Sequence, residues 1–300
     1  MSRLEDELRE EFRERLKVNQ SLAEFTSFRI GGPADLFITV ENEAELMRAK
    51  SAAYRAGVPT FCLGHGTNLL VSDRGIRGLV IRLGEGFNKI SIDDVKVTAG
   101  AGVDFGELVE TVVELGLAGL EFGEGIPGTV GGGLVMNAGA FGGEIARVVT
   151  CVHGVTAEGE ARALTPEEVN FAYRRTNLPA HFVISRVDFE LTPGDREALR
   201  TRVMEVRGKR AARQPRGVPN AGSIFKNPAG NFAGRLLEAA GMKGHRIGGA
   251  GFSEQHANFI VNLGDARADE VRALIEMARA KVHASSGVLL ETEVRLVGEW

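Results

Sequence analysis

Residues 120–144 read LEFGEGIPGTVGGGLVMNAGAFGGE, and the way this stretch folds decides the architecture. It formally contains G-x-G-x-x-G at Gly123, Gly125 and Gly128, the fingerprint of a dinucleotide-binding βαβ unit. That fingerprint needs a strand before it and a helix opening on its third glycine. Here Pro127 removes a backbone donor, and TVGGGLVMNAG is a poor helix start because glycine loses the most backbone entropy on becoming helical. The stretch reads instead as a long loop laid along an extended ligand. A second cluster, GHGTN at 64–68, joins two strands. Backbone of this kind exposes N–H groups that cradle anions, phosphate above all. Tight turns alone account for either cluster equally well. Two such clusters in one chain favour a pyrophosphate-containing cofactor.

Working outward, Leu4, Leu8, Phe12 and Leu16 form one apolar stripe of an N-terminal helix. ADLFITV (34–40) is a strand, Asn42 caps a helix running to about Ala56, and VPTFCLG (58–64) is a second strand. After GHGTN the pattern turns to strands: LLVSD, GLVIRLG (78–84), NKISIDD and VKVTAGAG. Asp104 caps a helix with Phe105, Leu108, Val109 and Val112 on one face. Strands return at about 146–157, 159–164 and 181–192, and residues 195–213 form a charged helix ended by Pro215. A helix near 231–240, the strand NFIVNLG (258–264), a helix at 267–284 and a final strand VLLETEVRLVG (288–298) complete the chain. The class is α+β with several small mixed sheets, and no internal repeat is present.

Composition narrows the function. The net charge is −4, so no large basic surface advertises nucleic acid, and scarce Trp and Tyr argue against base-stacking platforms. No apolar run approaches the roughly 20 residues of a membrane span, and the charged N-terminus lacks a signal-peptide core. A cytoplasmic location, without membrane partner, is expected. Cys62 and Cys151 lie far apart and are read as buried thiols. None of the six histidines shows H-E-x-x-H or comparable spacing, so no metal is expected. No G-x-S-x-G elbow is present, which argues against serine hydrolysis. Glycine is the outlier, 39 in 300 residues and clustered among apolar neighbours, as suits backbone packed closely against something.

Seven stretches then occur in a telling order: TSFRIGGPADLF (26–37), GHGTNLLVSDRG (64–75), GIPGTVGGG (125–133), NAGAFGGE (137–144), YRRT (173–176), NAGSIFKNP (220–228) and LLETEVRLVG (289–298). Together they resemble the UDP-N-acetylenolpyruvoylglucosamine reductase (MurB) family of bacterial peptidoglycan synthesis, over nearly the whole chain. The short spacing between YRRT and NAGSIFKNP is similar to the compact branch of that family, which lacks an extra substrate-closing loop. The resemblance implies a two-domain FAD-binding fold of the non-Rossmann type, like that of vanillyl-alcohol oxidase (PCMH-like), with a third α+β domain closing over the substrate. It implies FAD as cofactor, NADPH as hydride donor and a UDP-sugar enolpyruvate as substrate. The expected division is 1–86 and 87–198 for the two FAD-binding parts, with 287–300 returning to the first, and 199–286 for the substrate domain. A monomer is expected. His65, Phe141 and Thr176 depart from the family pattern; Thr176 keeps the usual hydroxyl.

The chemistry implied needs a stabiliser for a dianionic enolate-like species and a donor that protonates carbon from one face. Arg174 aligns with the catalytic arginine, and a guanidinium matches a carboxylate bidentately. Ser223 aligns with the proton donor, and a weak acid suffices against a strongly basic carbanion. Glu291 aligns with the catalytic glutamate; alternation along the final strand puts it on the face opposite Val288, Leu290, Thr292, Val294 and Leu296. Tyr173, Lys226 and Asn227 align with substrate contacts. The cofactor positions implied are Gly64, His65, Gly66, Thr67, Asn68, Pro127, Gly128, Thr129, Gly131, Gly132, Asn137 and Gly139. His65 could meet the pyrophosphate as a weak cation. From the residues alone, Arg174 reads first as a surface arginine, since arginine is mostly exposed, and only the resemblance reverses that; Lys226 and Asn227 read equally as surface polar groups.

Overall fold

The structure, a computed structural model, describes residues 2–300, and the chain divides into two compact units. The first comprises the residues up to Val18, Leu36–His65 and Gly78–Lys209; the second comprises Asn19–Asp35, Gly66–Arg77 and Arg210–Trp300.

In the first unit, helix α1 (Ser2–Phe12) buries Leu4, Leu8 and Phe12, and Leu16 joins them after a 3-10 turn. This stripe packs with Leu36, Ile38, Val40, Leu79 and Ile81 and with the inner face of helix α2 (Glu43–Arg55). Asn42 caps α2 as expected, its side chain accepting from the Glu45 N–H at 2.9 Å. A four-stranded sheet has the order Lys17–Ser21, Pro33–Val40, Ile76–Leu83, Thr60–Leu63. A larger sheet has the order Ala161–Leu164, Val149–Val155, Val183–Glu190, Lys96–Gly100, Ile90–Asp93, with every pairing antiparallel. Helix α3 (Phe105–Glu114), capped by Asp104, buries Phe105, Leu108, Val109 and Val112 against this sheet's core.

The 120–144 stretch departs from expectation in one respect. It contains a short helix, α4 (Val130–Val135), where a loop is predicted. Thr129 caps it by accepting from the Gly132 N–H at 3.2 Å, and Val130 and Leu134 are fully buried. Burial and a cap thus outweigh the weak helix propensity of three successive glycines. A 3-10 turn, not a strand, precedes the G-x-G-x-x-G segment, so the dinucleotide-binding reading still fails. A further turn of helix, α5 (Pro166–Val169), carries a capping box between Thr165 and Glu168. Helix α6 (Arg196–Arg213) matches the charged helix at 195–213.

The second unit holds an antiparallel sheet ordered Asn220–Ser223, Phe259–Asn262, Ala250–Phe252, Arg246–Ile247. Helices α7 (Ala233–Ala239) and α8 (Ala268–Ser286) pack on it, and α8 buries Val271, Leu274, Ile275, Ala278 and Val282. The final strand is shorter than predicted. Only Arg295–Val297 pairs as a strand, in parallel with Leu69–Val71. Glu291 therefore lies ahead of the strand, on an extended segment held by single contacts to residues 224–226. The predicted alternation still survives in burial, with Leu290 and Val294 inside and Leu289 and Glu291 exposed.

Lys50, on the inner face of α2, is 1% exposed. Its ammonium donates to Thr60 Oγ1 at 2.7 Å and to the His181 carbonyl at 2.6 Å. Burial still pushes its pKa down from 10.5 to about 8. The folded form releases this proton near pH 8, whereas the unfolded form holds it until about 10.5. Between those limits the unfolded chain binds more protons, so stability should rise with pH across that window. Lys50→Met removes the titrating group. The stability of wild type minus variant, from urea unfolding, is expected to shift towards wild type by about 2–3 kcal/mol from about pH 7.5 to about pH 10.5. A pH-independent difference would refute this account of Lys50.

Candidate functional site

The first unit brings the glycine loops together through backbone. Val103 and Gly128 carbonyls accept from Val130 and Phe105 N–H groups, each at 2.9 Å, and Ala101 accepts from Gly131 at 3.0 Å. A Cβ added at Gly64 would stand 2.8 Å from Thr129 Oγ1, closer than a real Cβ tolerates. Glycine at 64 is therefore a consequence of this close approach. His65 Nδ1 lies 3.6 Å from Asp104 Oδ2, so its polar neighbour here is a carboxylate. Gly131 packs on Ala101, and Thr129 and Gly132 are joined by the α4 cap. Pro127 and Gly128 form the turn into it, with Gly128 at φ +125°. These narrow, side-chain-poor loops suit a flat, phosphate-bearing cofactor that approaches main chain.

The hairpin at 139–144 and the loop at 170–177 present the arginine. Gly139–Ala140 pairs antiparallel with Gly143–Glu144, and the connecting Phe141 and Gly142 both have positive φ, the type I′ geometry of two-residue hairpins. In the second loop Ala172 and Arg175 exchange backbone hydrogen bonds of 2.8 and 3.1 Å, which puts Tyr173 and Arg174 at the tip. Arg174 has φ +54°, donates to the Gly139 carbonyl at 2.8 Å and lies with its guanidinium carbon 5.2 Å from the centre of the exposed Tyr173 ring. Thr176 donates its hydroxyl to the Val135 carbonyl at 3.0 Å, so the hydroxyl shared by Ser and Thr has a bonding role.

Asn137 ties these two loops. It is 2% exposed; its Nδ2 donates to Glu144 Oε2 at 3.2 Å and to the Ala172 carbonyl at 3.1 Å, while its Oδ1 accepts from the Ala146 N–H. The sequence marks Asn137 as a cofactor position; its side chain is spent on bracing the arginine loop.

The remaining candidates lie in the second unit. Gly66, at φ +62°, lies so near the Phe25 carbonyl that a Cβ would sit 2.3 Å from its oxygen. Asn68, which follows Thr67, donates its amide to the Glu293 carbonyl at 3.1 Å. Ser223 ends the strand Asn220–Ser223, opposite Phe259, half-buried. Among the described residues its hydroxyl has no hydrogen-bond partner. Lys226 donates its N–H to the Glu291 carbonyl at 2.9 Å, and its ammonium lies 3.3 Å from Glu291 Oε2. The Glu291 carboxylate is 78% exposed. Asn227 Oδ1 accepts from the Ala233 N–H at 3.0 Å at the start of α7.

Asn258 is a residue that the sequence reading passed over. Its carbonyl accepts from the Ile224 N–H at 2.8 Å, its Oδ1 from the Phe225 N–H at 2.9 Å, and its Nδ2 donates to the Phe225 carbonyl at 2.8 Å. Three bonds from one buried residue thus fix the backbone that follows Ser223. The available signal was a polar residue opening an otherwise apolar strand. His256 sits beside it, half-buried on the Phe259 ring, with Nδ1 accepting from the Asn258 N–H. Burial pushes its pKa down, consistent with a neutral, supporting imidazole.

An α+β chain with antiparallel sheets and facing glycine loops, beside an arginine presented on a braced tip, has the form of a flavin-dependent oxidoreductase. The comparisons agree. Residues 34–165 match the FAD binding domain family model, and residues 214–297 match that of the C-terminal domain of UDP-N-acetylenolpyruvoylglucosamine reductase. The chain is 45% identical to UDP-N-acetylenolpyruvoylglucosamine reductase 2 of Symbiobacterium thermophilum, over 99% of this chain and 98% of that one. It is 45% identical to the Heliobacterium modesticaldum reductase over 96% of this chain and 93% of that one. The crystal structure of the Thermus caldophilus enzyme (MurB) superposes with a TM-score of 0.83 at 38% identity, covering 94% and 98% of the two chains. The chain belongs to the UDP-N-acetylenolpyruvoylglucosamine reductase family, and is an FAD-binding oxidoreductase.

Proposed function

We propose that this chain reduces the enolpyruvyl group of UDP-N-acetylglucosamine enolpyruvate to give UDP-N-acetylmuramate, with NADPH as hydride donor. The supporting observation is the end-to-end likeness to reductases of that name, with Arg174, Ser223 and Glu291 all present at the motif positions. FAD, when bound, supplies the relay of hydride from donor to substrate. The residues to hold it are Gly64, His65, Gly66, Thr67, Asn68, Pro127, Gly128, Thr129, Gly131, Gly132 and Gly139, with Asn137 bracing the neighbouring loops.

Hydride addition at the terminal carbon leaves an electron pair on its neighbour, delocalised into the carboxylate. Arg174 meets that carboxylate with a planar fork, and preorganised charge of this kind is commonly a large catalytic contribution. Ser223 delivers its hydroxyl proton to the neighbouring carbon and regains one from solvent. Glu291 assists as an acid, which requires its pair with Lys226 to open and its carboxyl to be protonated. Tyr173, Lys226 and Asn227 contact the UDP-sugar, Lys226 through phosphate. The enzyme acts in the cytoplasm as a monomer, with FAD-binding parts at 1–86 and 87–198 and a substrate domain at 199–286; no helix among the described residues is long and apolar enough to cross a membrane.

An anaerobic visible spectrum tests this. The flavin band should bleach on adding NADPH and return on adding UDP-N-acetylglucosamine enolpyruvate. Bleaching without return removes the substrate assignment. Absence of a flavin band, even after FAD is supplied, removes the cofactor reading.

A further inference from the structure

Away from the glycine loops, the large antiparallel sheet carries a group of side chains that the proposed reaction does not use. Cys151 and His153 are two residues apart on the strand Val149–Val155, and the two-residue period of a strand points both to the same face. Asp188, on the neighbouring strand, is the direct cross-strand partner of Cys151. One ligand atom from each of the three lies within 4.8 Å of the others. His153 Nε2 stands 2.8 Å from Asp188 Oδ2, and all three residues are partly exposed. Thr98, on the next strand, donates its hydroxyl to Asp188 Oδ1 at 2.8 Å, which orients the carboxylate and leaves Oδ2 on the side of His153.

We propose that Cys151, His153 and Asp188 form a binding site for a divalent transition-metal ion of borderline softness, with Zn2+ as the occupant and water as the fourth ligand. Thiolate, imidazole and carboxylate are the three ligand types this ion prefers, and three protein ligands plus water complete a tetrahedron. Thiolate and carboxylate together neutralise the ion's two charges. Binding displaces the Cys151 thiol proton to solvent. An imidazole that ligates through Nε2 carries its proton on Nδ1, so Arg186, whose guanidinium lies 3.3 Å from His153 Nδ1, must turn outward; its exposed position permits this. Thr98 plays the part of the outer hydrogen-bond partner that commonly holds a ligating carboxylate. The sequence concealed the group because Asp188 lies far along the chain from a Cys-x-His pair too sparse to signal metal by itself.

The test uses the full chain with its flavin. After incubation with ZnCl2 and dialysis against metal-free buffer, wild type should retain about one zinc per chain, measured by elemental analysis. Zinc should also slow modification of Cys151 by a disulfide thiol reagent at least ~10-fold. Cys62 is partly exposed as well, so the modified thiol is assigned by peptide mapping and only the rate at Cys151 is compared. Cys151→Ser and His153→Ala should each lose the retained zinc while keeping wild-type flavin content. The thiol-protection arm needs no variant and stands even if one misfolds. Wild type that retains no zinc, or zinc that leaves the thiol rate unchanged, overturns the proposal. So does equal retention by wild type and Cys151→Ser. None of these readouts depends on the substrate assigned above.

Discussion

Ser223→Ala is expected to bleach with NADPH as fast as wild type and to recover its flavin band with the enolpyruvate substrate about 10²–10⁴-fold more slowly, the usual range for loss of a positioned proton donor. The split follows from where the hydroxyl is needed. Hydride leaving NADPH encounters no carbon that must be protonated, whereas hydride reaching the substrate does. The substitution should also be structurally mild. Ser223 ends a strand whose following backbone is fixed by three hydrogen bonds from Asn258, not by the serine hydroxyl. A stopped-flow experiment separates the two phases. Recovery at the wild-type rate would falsify the assignment of Ser223.

Arg174→Lys is expected to lower the rate of the second phase by about 10²–10³-fold, as loss of a preorganised donor to developing charge does. A lysine keeps the charge but presents it as a point, without the planar fork that fits a carboxylate. The arginine's position is expensive to hold: φ is +54°, and Gly139, the Tyr173 ring and the Asn137 bracing all fix it. Asn137→Ala should therefore slow the same phase without touching substrate, since displacements near 1 Å can cost about 10²-fold. It should also destabilise the fold by about 1–3 kcal/mol, because the Ala172 carbonyl and Ala146 N–H lose a buried partner. If Arg174→Lys reacts at the wild-type rate in both phases, the guanidinium is not the carboxylate's partner.

Much of the fold was legible because apolar period and end signals agreed. Helices α1, α2, α3 and α8 lie where stripes and caps put them, and α6 where a charged run ends before Pro215. The short helix α4 was not, since its local preference opposes it and only the burial of Val130 and Leu134 supports it. Helix α5 was overlooked although Thr165, Pro166 and Glu168 carry a readable start signal. The final segment kept its predicted faces but not its predicted ladder. Alternation reports which side chains are inside, whereas pairing needs a neighbouring strand, and the parallel partner Leu69–Val71 serves only Arg295–Val297.

The same division runs through the candidate site. By itself the sequence determined the order of the motifs, and through them the family; the same motifs supplied the residues proposed to carry the chemistry. Period and composition also determined which stretches bury apolar surface and where glycine must let backbone come close. Tertiary structure alone decided what each polar group bonds to. Asn137 braces the arginine loop, Asn258 clamps the segment after Ser223, Lys226 faces Glu291, and Asp188 meets Cys151 and His153. Each of these pairs joins residues far apart along the chain. A local pattern specifies the face on which a side chain lies; the partner on that face is set by packing of distant segments and by the need to satisfy buried hydrogen-bonding groups.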